Sequence, residues 1–199
     1  MTKRKRKTRG RTEARTQRDH QIMVETLVSA WLRGAVPRLT NTGACVAGAR
    51  FGLELLSRLG VESCVTQVDA IGLDEQSYME VINGKGPTGW SVGALSVTTA
   101  PNAWNGHVVL ETNDWFIDLT AGQFDRPDKG ILFGNGLCVP VGELTHHVGI
   151  WQGDWFEVPV AQGHYLFRDA VIQRDITKAP DWHGGLELLK ETVDIQVVI

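Results

Sequence analysis

The sequence has few cysteines and no long apolar run, and each absence excludes a class of protein. Three of its 199 residues are cysteine, and they form neither a Cys-x-x-Cys pair nor a Cys/His spacing typical of zinc. This low, odd number favours free thiols in a reducing compartment, so we expect a cytoplasmic protein. The sequence contains no run of about 18 apolar residues, the length that a membrane-spanning helix needs. No apolar segment follows the basic start, so we expect no secretory signal.

Charge is distributed unevenly along the chain. Residues 1–18 hold nine of the 20 basic residues and one of the 23 acidic residues, so this segment has a net charge of +8 and the rest −11. Residues 1–16 contain no large apolar side chain beyond Met1, and we expect this basic tail to be disordered. Residues 17–199 are predicted to form a single domain. The lysines and arginines of residues 3–18 could bind nucleic acid or an acidic partner, or could be only a solvated extension.

Hydrophobic periodicity predicts an α+β protein. Apolar residues recur at helical spacing in 18–33 and again in 43–59, where Gly60 ends the pattern. The glycine-rich segment 72–91 is predicted to be a loop. Strands are predicted at 61–71, 91–98, 107–111, 115–120, 137–141, 155–160, 165–167 and 194–199, and a short helix at 184–191.

Cys45 lies near the start of the second predicted helix, which Asn41 or Thr42 could cap. The exposed N–H groups and the positive end of the helix dipole favour a thiolate at such a position. The small neighbours Gly43 and Ala44 would let a substrate carbonyl approach the sulfur. Taken alone, Cys45 is explained more simply as a structural thiol in a tight helix–sheet contact, because free cysteine is among the most buried residue types.

The predicted hairpin brings a histidine and a carboxylate together. A two-residue turn at 113–114 would place Val109 opposite Asp118. His107 and Asp118 then become diagonal neighbours on one face of the hairpin, within reach of each other. The other face is almost wholly apolar, which supports this register, whereas a shift by one residue would separate the two side chains. Each is explained more simply as a structural polar residue, but their joint placement behind Cys45 favours a functional site.

Two segments resemble the transglutaminase-like, papain-fold superfamily of cysteine enzymes. Residues 45–70 are similar to a nucleophile-bearing helix that leads through a Leu-Gly-Val-type turn into a strand. Residues 107–120 are similar to the superfamily's His strand followed by its Asp strand, and residues 121–124 resemble bacterial members. The resemblance implies a papain-like α+β fold in which the nucleophile helix packs on an antiparallel β-sheet.

The resemblance also implies roles for the three residues. Cys45 would be the nucleophile, His107 its general base and acid, and Asp118 the residue that orients the imidazole. The sequence departs from the family at two positions. Many transglutaminases have tryptophan where Val46 stands, and papain-type proteases have glutamine where Leu39 stands. The oxyanion donors are therefore unassigned beyond the backbone N–H of the cysteine.

Two side-chain amides, those of Asn41 and Gln123, are candidates for a further oxyanion donor. Each is explained more simply, Asn41 as a helix cap and Gln123 as a turn residue. The choice between these roles stays open at this stage.

Other motifs give weaker signals. The segment 84–89 matches GxGxxG, but it does not link a strand to a helix as a dinucleotide site requires. His146 and His147 are adjacent, so on a strand they would point in opposite directions and chelate poorly. We therefore expect no cofactor and no metal. Cys64 and Cys138 fall in apolar strand patterns and are predicted to be inert core thiols.

The expected chemistry is attack of a Cys45 thiolate on an amide or peptide carbonyl, through a thioester intermediate. Resolution by water would make a peptidase, amidase or deamidase, and resolution by an amine would make a transglutaminase-like acyltransferase. We favour hydrolysis, since water needs no dedicated acceptor site. Two alternatives stay open: a non-catalytic papain-like scaffold that binds nucleic acid through its basic tail, and a structural Cys45 in an unrelated α+β fold.

Overall fold

The computed structural model describes residues 44–96 and 106–179, together with Arg18, Ile22 and Trp182. Within 44–96 and 106–179 the fold is α+β, with two α-helices and one antiparallel sheet of eight strands. None of the helices in these ranges is long and apolar enough to cross a membrane. The helices are α1 (Ala44–Arg58) and α2 (Glu75–Ile82), and the strands are β1 (Cys64–Leu73), β2 (Ser91–Ala94), β3 (His107–Glu111), β4 (Trp115–Asp118), β5 (Leu137–Pro140), β6 (Thr145–Ile150), β7 (Gly153–Val158) and β8 (His164–Asp169).

The long strand β1 organises the sheet. Seven strands follow the order β5-β4-β3-β1-β8-β7-β6, and β2 pairs with β1 outside this order. On one side of β1, the first half pairs with β3 and the second half with β2. On the other side β8 pairs with its second half, so that Val68 lies opposite both His107 and Asp169. The start of β3 is therefore held near the middle of the sheet.

Helix α1 packs against β3 with its small residues. Every residue from Ala44 to Ala49 is buried, and all but Val46 are alanine, glycine or cysteine. At Gly52 the helix comes so close to β3 that an added Cβ would overlap the side chain of Leu110. Small side chains thus let the first turns of α1 approach the sheet. Gly60 follows the helix with a φ of 72°, the left-handed conformation common at helix ends.

Two apolar cores cover the two faces of the β3–β4 hairpin. One fills the space between α1 and the hairpin face formed by Val108, Leu110 and Ile117. The other lies on the opposite face and is rich in aromatic side chains. The aromatic members of this second core are Phe116, Phe124, Phe133, Tyr165 and Phe167. The hairpin is therefore buried on both faces, including the face that carries polar residues.

The segment 72–91 departs from the prediction of a loop, because it contains α2. The helix begins after Asp74, whose carboxylate accepts a hydrogen bond from the Ser77 N–H at 2.8 Å. The glycine-rich part that follows does form a loop. It is tied to the helix by Glu80, which accepts from the N–H of Thr88 at 2.6 Å. The glycines after the helix masked its short apolar pattern in the sequence.

Every strand predicted in the described ranges is present, with most ends shifted by a few residues. Strand β6 was not predicted, because it is the last strand in the sheet order and exposes most of its residues, so no apolar alternation marks it. Of the predicted helix 18–33, the structure describes Arg18 and Ile22, both helical. The predicted elements at 184–191 and 194–199 lie outside the described residues.

Candidate functional site

Cys45 is the second residue of α1, and its side chain is only 5% exposed. The prediction of a cysteine at a helix start is confirmed. The prediction that Cys64 is a core thiol is wrong, because Cys64 is the first residue of β1 and is exposed at the end of the strand pair. Cys138 is partly buried and packs against the core beneath α1. The three thiols thus lie in three different environments.

The hairpin has the predicted register. Leu110 lies opposite Ile117 and Glu111 opposite Phe116, as a two-residue turn requires. His107 and Asp118 consequently lie on one face, and the two atoms His107 Nε2 and Asp118 Oδ2 are 2.7 Å apart. Both side chains are fully buried. The predicted histidine–carboxylate contact is therefore present.

Asp118 has hydrogen-bond partners on both oxygens. Its Oδ1 accepts from the backbone N–H of Thr120 at 2.9 Å and from the Thr120 hydroxyl at 3.3 Å. Its Oδ2 accepts from the hydroxyl of Tyr165 at 2.7 Å, in addition to His107. Thr120 could have been found from the Asp-x-Thr spacing, which is typical of a local carboxylate turn. No local signal indicates Tyr165, because it lies on β8, two strands away from β3.

The neighbours of His107 favour its charged form. Burial opposes the charge, but the carboxylate of Asp118 and its hydrogen bond raise the pKa of His107 above its ordinary value, and a hydrogen bond and charge from Cys45 add to the effect. Burial likewise raises the pKa of Asp118, but the charge of His107 and the hydrogen bonds around the carboxylate lower it below its ordinary value. His107 and Asp118 are therefore an ion pair, and Cys45 lies near enough to the imidazole to contribute to its raised pKa.

The second ring nitrogen of His107 faces the remaining polar groups. Because Nε2 is bonded to Asp118, Nδ1 is the nitrogen left for other partners. The amide nitrogen of Gln123 lies 3.1 Å from Nδ1 and 3.3 Å from the Thr120 hydroxyl. This amide donates to a neutral imidazole, and a half-turn of its plane lets the amide oxygen accept from the protonated ring.

The two candidate oxyanion donors have different outcomes. Gln123 is exposed, and its side-chain amide lies beside the imidazole of His107. Its role as an oxyanion donor stays a prediction, and its contact with His107 was not predicted. Asn41 lies outside the described residues.

The space beside Cys45 is narrow and mostly apolar. The crevice that adjoins the cysteine is too tight to hold a water molecule. Thr120 is the polar side chain in its wall, and the other lining residues are Ala49, Val108, Val109, Leu110, Ile117 and Leu119. Electrostatic interactions between the sulfur and the imidazole are strong in such surroundings, because little water screens them.

Of the two adjacent histidines noted as weak metal candidates, His147 contacts a carboxylate, and His164 contacts the same carboxylate. His147 Nε2 lies 2.7 Å from Glu157 Oε2, and His164 Nδ1 lies 2.8 Å from Oε1 of the same residue. The hydroxyl of Tyr78 donates to Glu157 Oε2 at 2.9 Å, and its ring stacks on that of His164. His146 points away and stacks on Phe156. Within the described residues, no group of three or more His, Cys, Asp or Glu side chains could hold a metal ion.

Comparison of the chain with protein families, with curated proteins and with solved structures found no match. The chemistry open to the site is therefore that of the three residues and their contacts. The site has a thiol near an imidazole, and the imidazole is bonded to a carboxylate. Such a set provides a nucleophile, a proton carrier and a group that orients the proton carrier.

Proposed function

We propose that this protein is a papain-like cysteine enzyme that cleaves an amide or peptide bond through a thioester on Cys45. The observation that carries the proposal is the buried imidazole of His107, bonded to Asp118 through Nε2 and close enough to Cys45 for the cysteine to affect its pKa. The helix start adds the positive end of a dipole beside the sulfur. The contact between His107 and Asp118 supports a catalytic use of the imidazole. The resemblance of segments 45–70 and 107–120 to the papain-fold superfamily supports the roles assigned to the three residues.

The proposed first step transfers the acyl group to the enzyme. The thiolate of Cys45 attacks the carbonyl carbon and forms a C–S bond, while the carbonyl electrons move to the oxygen. The backbone N–H of Cys45 is the natural first donor to that oxyanion. His107 then gives its Nδ1 proton to the leaving nitrogen, the C–N bond breaks, and a thioester and a free amine result.

The second step releases the acyl group. A water molecule gives a proton to His107 Nδ1 and attacks the thioester carbon. The C–S bond breaks, and the thiolate of Cys45 and a carboxylic acid are formed. An amine in place of water would give an amide, which is the transglutaminase-type outcome. We favour water, because it needs no acceptor site.

The burial of the His107–Asp118 pair favours a functional explanation over a structural one. Two charges removed from water pay a desolvation cost that their attraction often fails to repay, and apolar residues of similar volume stabilise a core equally well. The pair also contacts a thiol, the nucleophile that such a pair activates. If Cys45 served only to pack the helix against the sheet, it would not require an ion pair beside it.

Alkylation rates of the three thiols test the proposal. Accessibility alone ranks Cys64 as the fastest thiol to react with iodoacetamide and buried Cys45 as the slowest. An activated Cys45 should reverse this order near neutral pH, because the thiolate is the reacting species. Peptide mass mapping after timed exposure to the reagent measures the three rates in one sample.

A His107→Gln variant is the matched control for this experiment. It should slow Cys45 alkylation by about tenfold or more, given the usual worth of a general base or ion-pair partner, and leave Cys64 unchanged. The proposal is wrong if Cys45 reacts more slowly than Cys64 in the wild-type protein. Incubation with mixed peptides, with Cys45→Ala in parallel, then identifies the reaction from the mass change of hydrolysis, deamidation or cross-linking.

A further inference from the structure

The hydroxyl of Tyr165 converges with His107 on a single atom of the site. Tyr165 donates to Asp118 Oδ2 at 2.7 Å, the same oxygen that lies 2.7 Å from His107 Nε2. Tyr165 is on β8, and Asp118 is the last residue of β4, so the phenol reaches across β1 and β3 in the sheet order. The contact joins residues 47 positions apart in sequence. The contact therefore forms only when the chain is folded.

Aromatic packing fixes the phenol in this position. The ring of Tyr165 stacks on Phe133 with a centroid distance of 4.9 Å, and it contacts Phe124 at 5.8 Å and Phe116 at 6.5 Å. Tyr165 has no exposed surface. Its hydroxyl has no alternative solvent partner, because the group is enclosed by these rings.

The phenol acts as a neutral donor. Burial, with the negative charge of Asp118 and the hydrogen bond to it, raises the pKa of Tyr165 well above its ordinary value. Its proton consequently stays on the oxygen wherever Asp118 is ionised. The carboxylate then receives a charge-assisted hydrogen bond that does not depend on the protonation of His107.

We infer that Tyr165 is a positioning residue of the thiol site, which keeps Asp118 ionised and aims its Oδ2 at His107 Nε2. The inference rests on the proposed function. With Asp118 held in this way, the imidazole is oriented so that Nδ1 faces Cys45. Without the phenol, Asp118 would keep Thr120 on Oδ1 but would have only His107 on Oδ2. A carboxylate in these apolar surroundings with one donor fewer takes up a proton more readily.

The test is the pH profile of Cys45 alkylation in Tyr165→Phe, measured between about pH 4 and pH 9, the range in which carboxyl, imidazole and thiol groups titrate. We expect the acidic limb of the profile to move to higher pH, because a protonated Asp118 no longer supports the imidazolium. The plateau rate should fall by about three- to tenfold, part of the full effect of a hydrogen bond to a charged group. A purely structural hydroxyl would alter thermal stability and leave the position of the acidic limb unchanged.

Tyr78→Phe is the matched control. The chain has two tyrosines, and both donate to a carboxylate, but Tyr78 donates to Glu157 at the separate histidine cluster. The control variant should keep the wild-type profile. If Tyr165→Phe also keeps it while wild-type Cys45 remains faster than Cys64, the inference is overturned and the proposed function stands. If wild-type Cys45 is not selectively alkylated, both are overturned.

A second measurement covers the case in which Tyr165→Phe does not fold. Biosynthetic replacement of tyrosine by 3-fluorotyrosine in the Tyr78→Phe background alters Tyr165 alone and makes its hydroxyl a stronger donor. The acidic limb should then move to lower pH, in the opposite direction to Tyr165→Phe. A limb that does not move, or that moves to higher pH, contradicts the inference.

Discussion

At the scale of single residues, the main feature is the buried charge of Asp118. Its two oxygens accept four hydrogen bonds while the side chain is completely buried. Each partner lowers the cost of burying the charge, and His107 supplies the compensating positive charge. Loss of either member of the ion pair leaves an uncompensated charge in the core, which costs more than the pair itself contributes.

Replacement of Asp118 by alanine should reduce the free energy of unfolding by about 3–5 kcal/mol, the usual cost of breaking a buried pair. His107→Ala should also destabilise the protein. The double variant should lose less than the sum of the two, because removal of both partners leaves no lone buried charge. Urea unfolding followed by tryptophan fluorescence measures the three values at neutral pH. Strict additivity would mean that the two residues do not stabilise each other.

At the scale of secondary-structure elements, the cluster around Glu157 joins four of them. Glu157 on β7 binds His147 of β6, His164 of β8 and Tyr78 of α2. The other ring nitrogen of His164 lies 3.0 Å from Glu75 Oε2, on the first turn of α2. Despite partial burial, the histidines and Tyr78 lower the pKa of Glu157 to about 2, and hydrogen bonds to Glu157 and Glu75 raise the pKa of His164.

These shifts define a pH window for the stability contributed by the cluster. Because the pKa of His164 is raised in the folded state, its contribution is full below the ordinary value of 6.5 and is lost as the pH rises through the folded value. Because the pKa of Glu157 is lowered, its contribution is present above the ordinary value of 4.5 and is lost as the pH falls toward about 2. The cluster stabilises the fold most between these two ordinary values.

The variant His164→Gln tests this window. The difference in unfolding free energy between wild type and variant should be largest near pH 5.5, between the ordinary values of the two groups, and should shrink as the pH rises. His107 is present in both proteins, so its own titration cancels in the difference. Urea unfolding across the pH range provides the values. A difference that does not vary with pH would show that His164 is not charged in the folded protein.

At the scale of the whole molecule, charge is divided between the two parts of the chain. The first 18 residues carry +8 and the rest −11. Such a run of Lys and Arg neutralises phosphates without reading bases, and it contains no aromatic residue for stacking. If the chain has a nucleic-acid partner, the tail is therefore the part expected to contact it.

Deletion of residues 1–16 removes a net charge of +7 and leaves −10. The full chain should be retained on immobilised single-stranded DNA in low salt and released as salt rises, and the shortened chain should pass through. Alkylation of Cys45 should be the same in both, because the hydrogen bonds that hold His107 and Asp118 come from residues 118–165. Retention that survives the deletion would exclude the tail as the binding element. A variant with the tail's lysines and arginines replaced by glutamine separates charge from length.

The sequence predicted those contacts of the site whose two residues lie close together along the chain. His107 and Asp118 lie on adjacent strands joined by a two-residue turn, so the alternation of side chains was enough to predict their contact. The position of Cys45 at a helix start followed from the apolar periodicity of residues 43–59 and from the capping residues before them. Helix α2 was missed, because its apolar residues are few and glycines follow closely. Strand β6 was missed, because an edge strand exposed to solvent needs no apolar alternation.

The sequence alone determined the local features of this protein: a thiol at a helix start, a hairpin register, and an imbalance of charge between tail and body. Each depends on spacing within a short stretch of chain. Only the tertiary structure decided that Cys45 lies near His107, that Tyr165 completes the hydrogen bonds of Asp118, and that Cys64 is exposed. These facts depend on the order of strands in the sheet, which no local pattern encodes. The same hairpin would carry the same two residues without a thiol or a phenol beside them if the sheet were ordered differently.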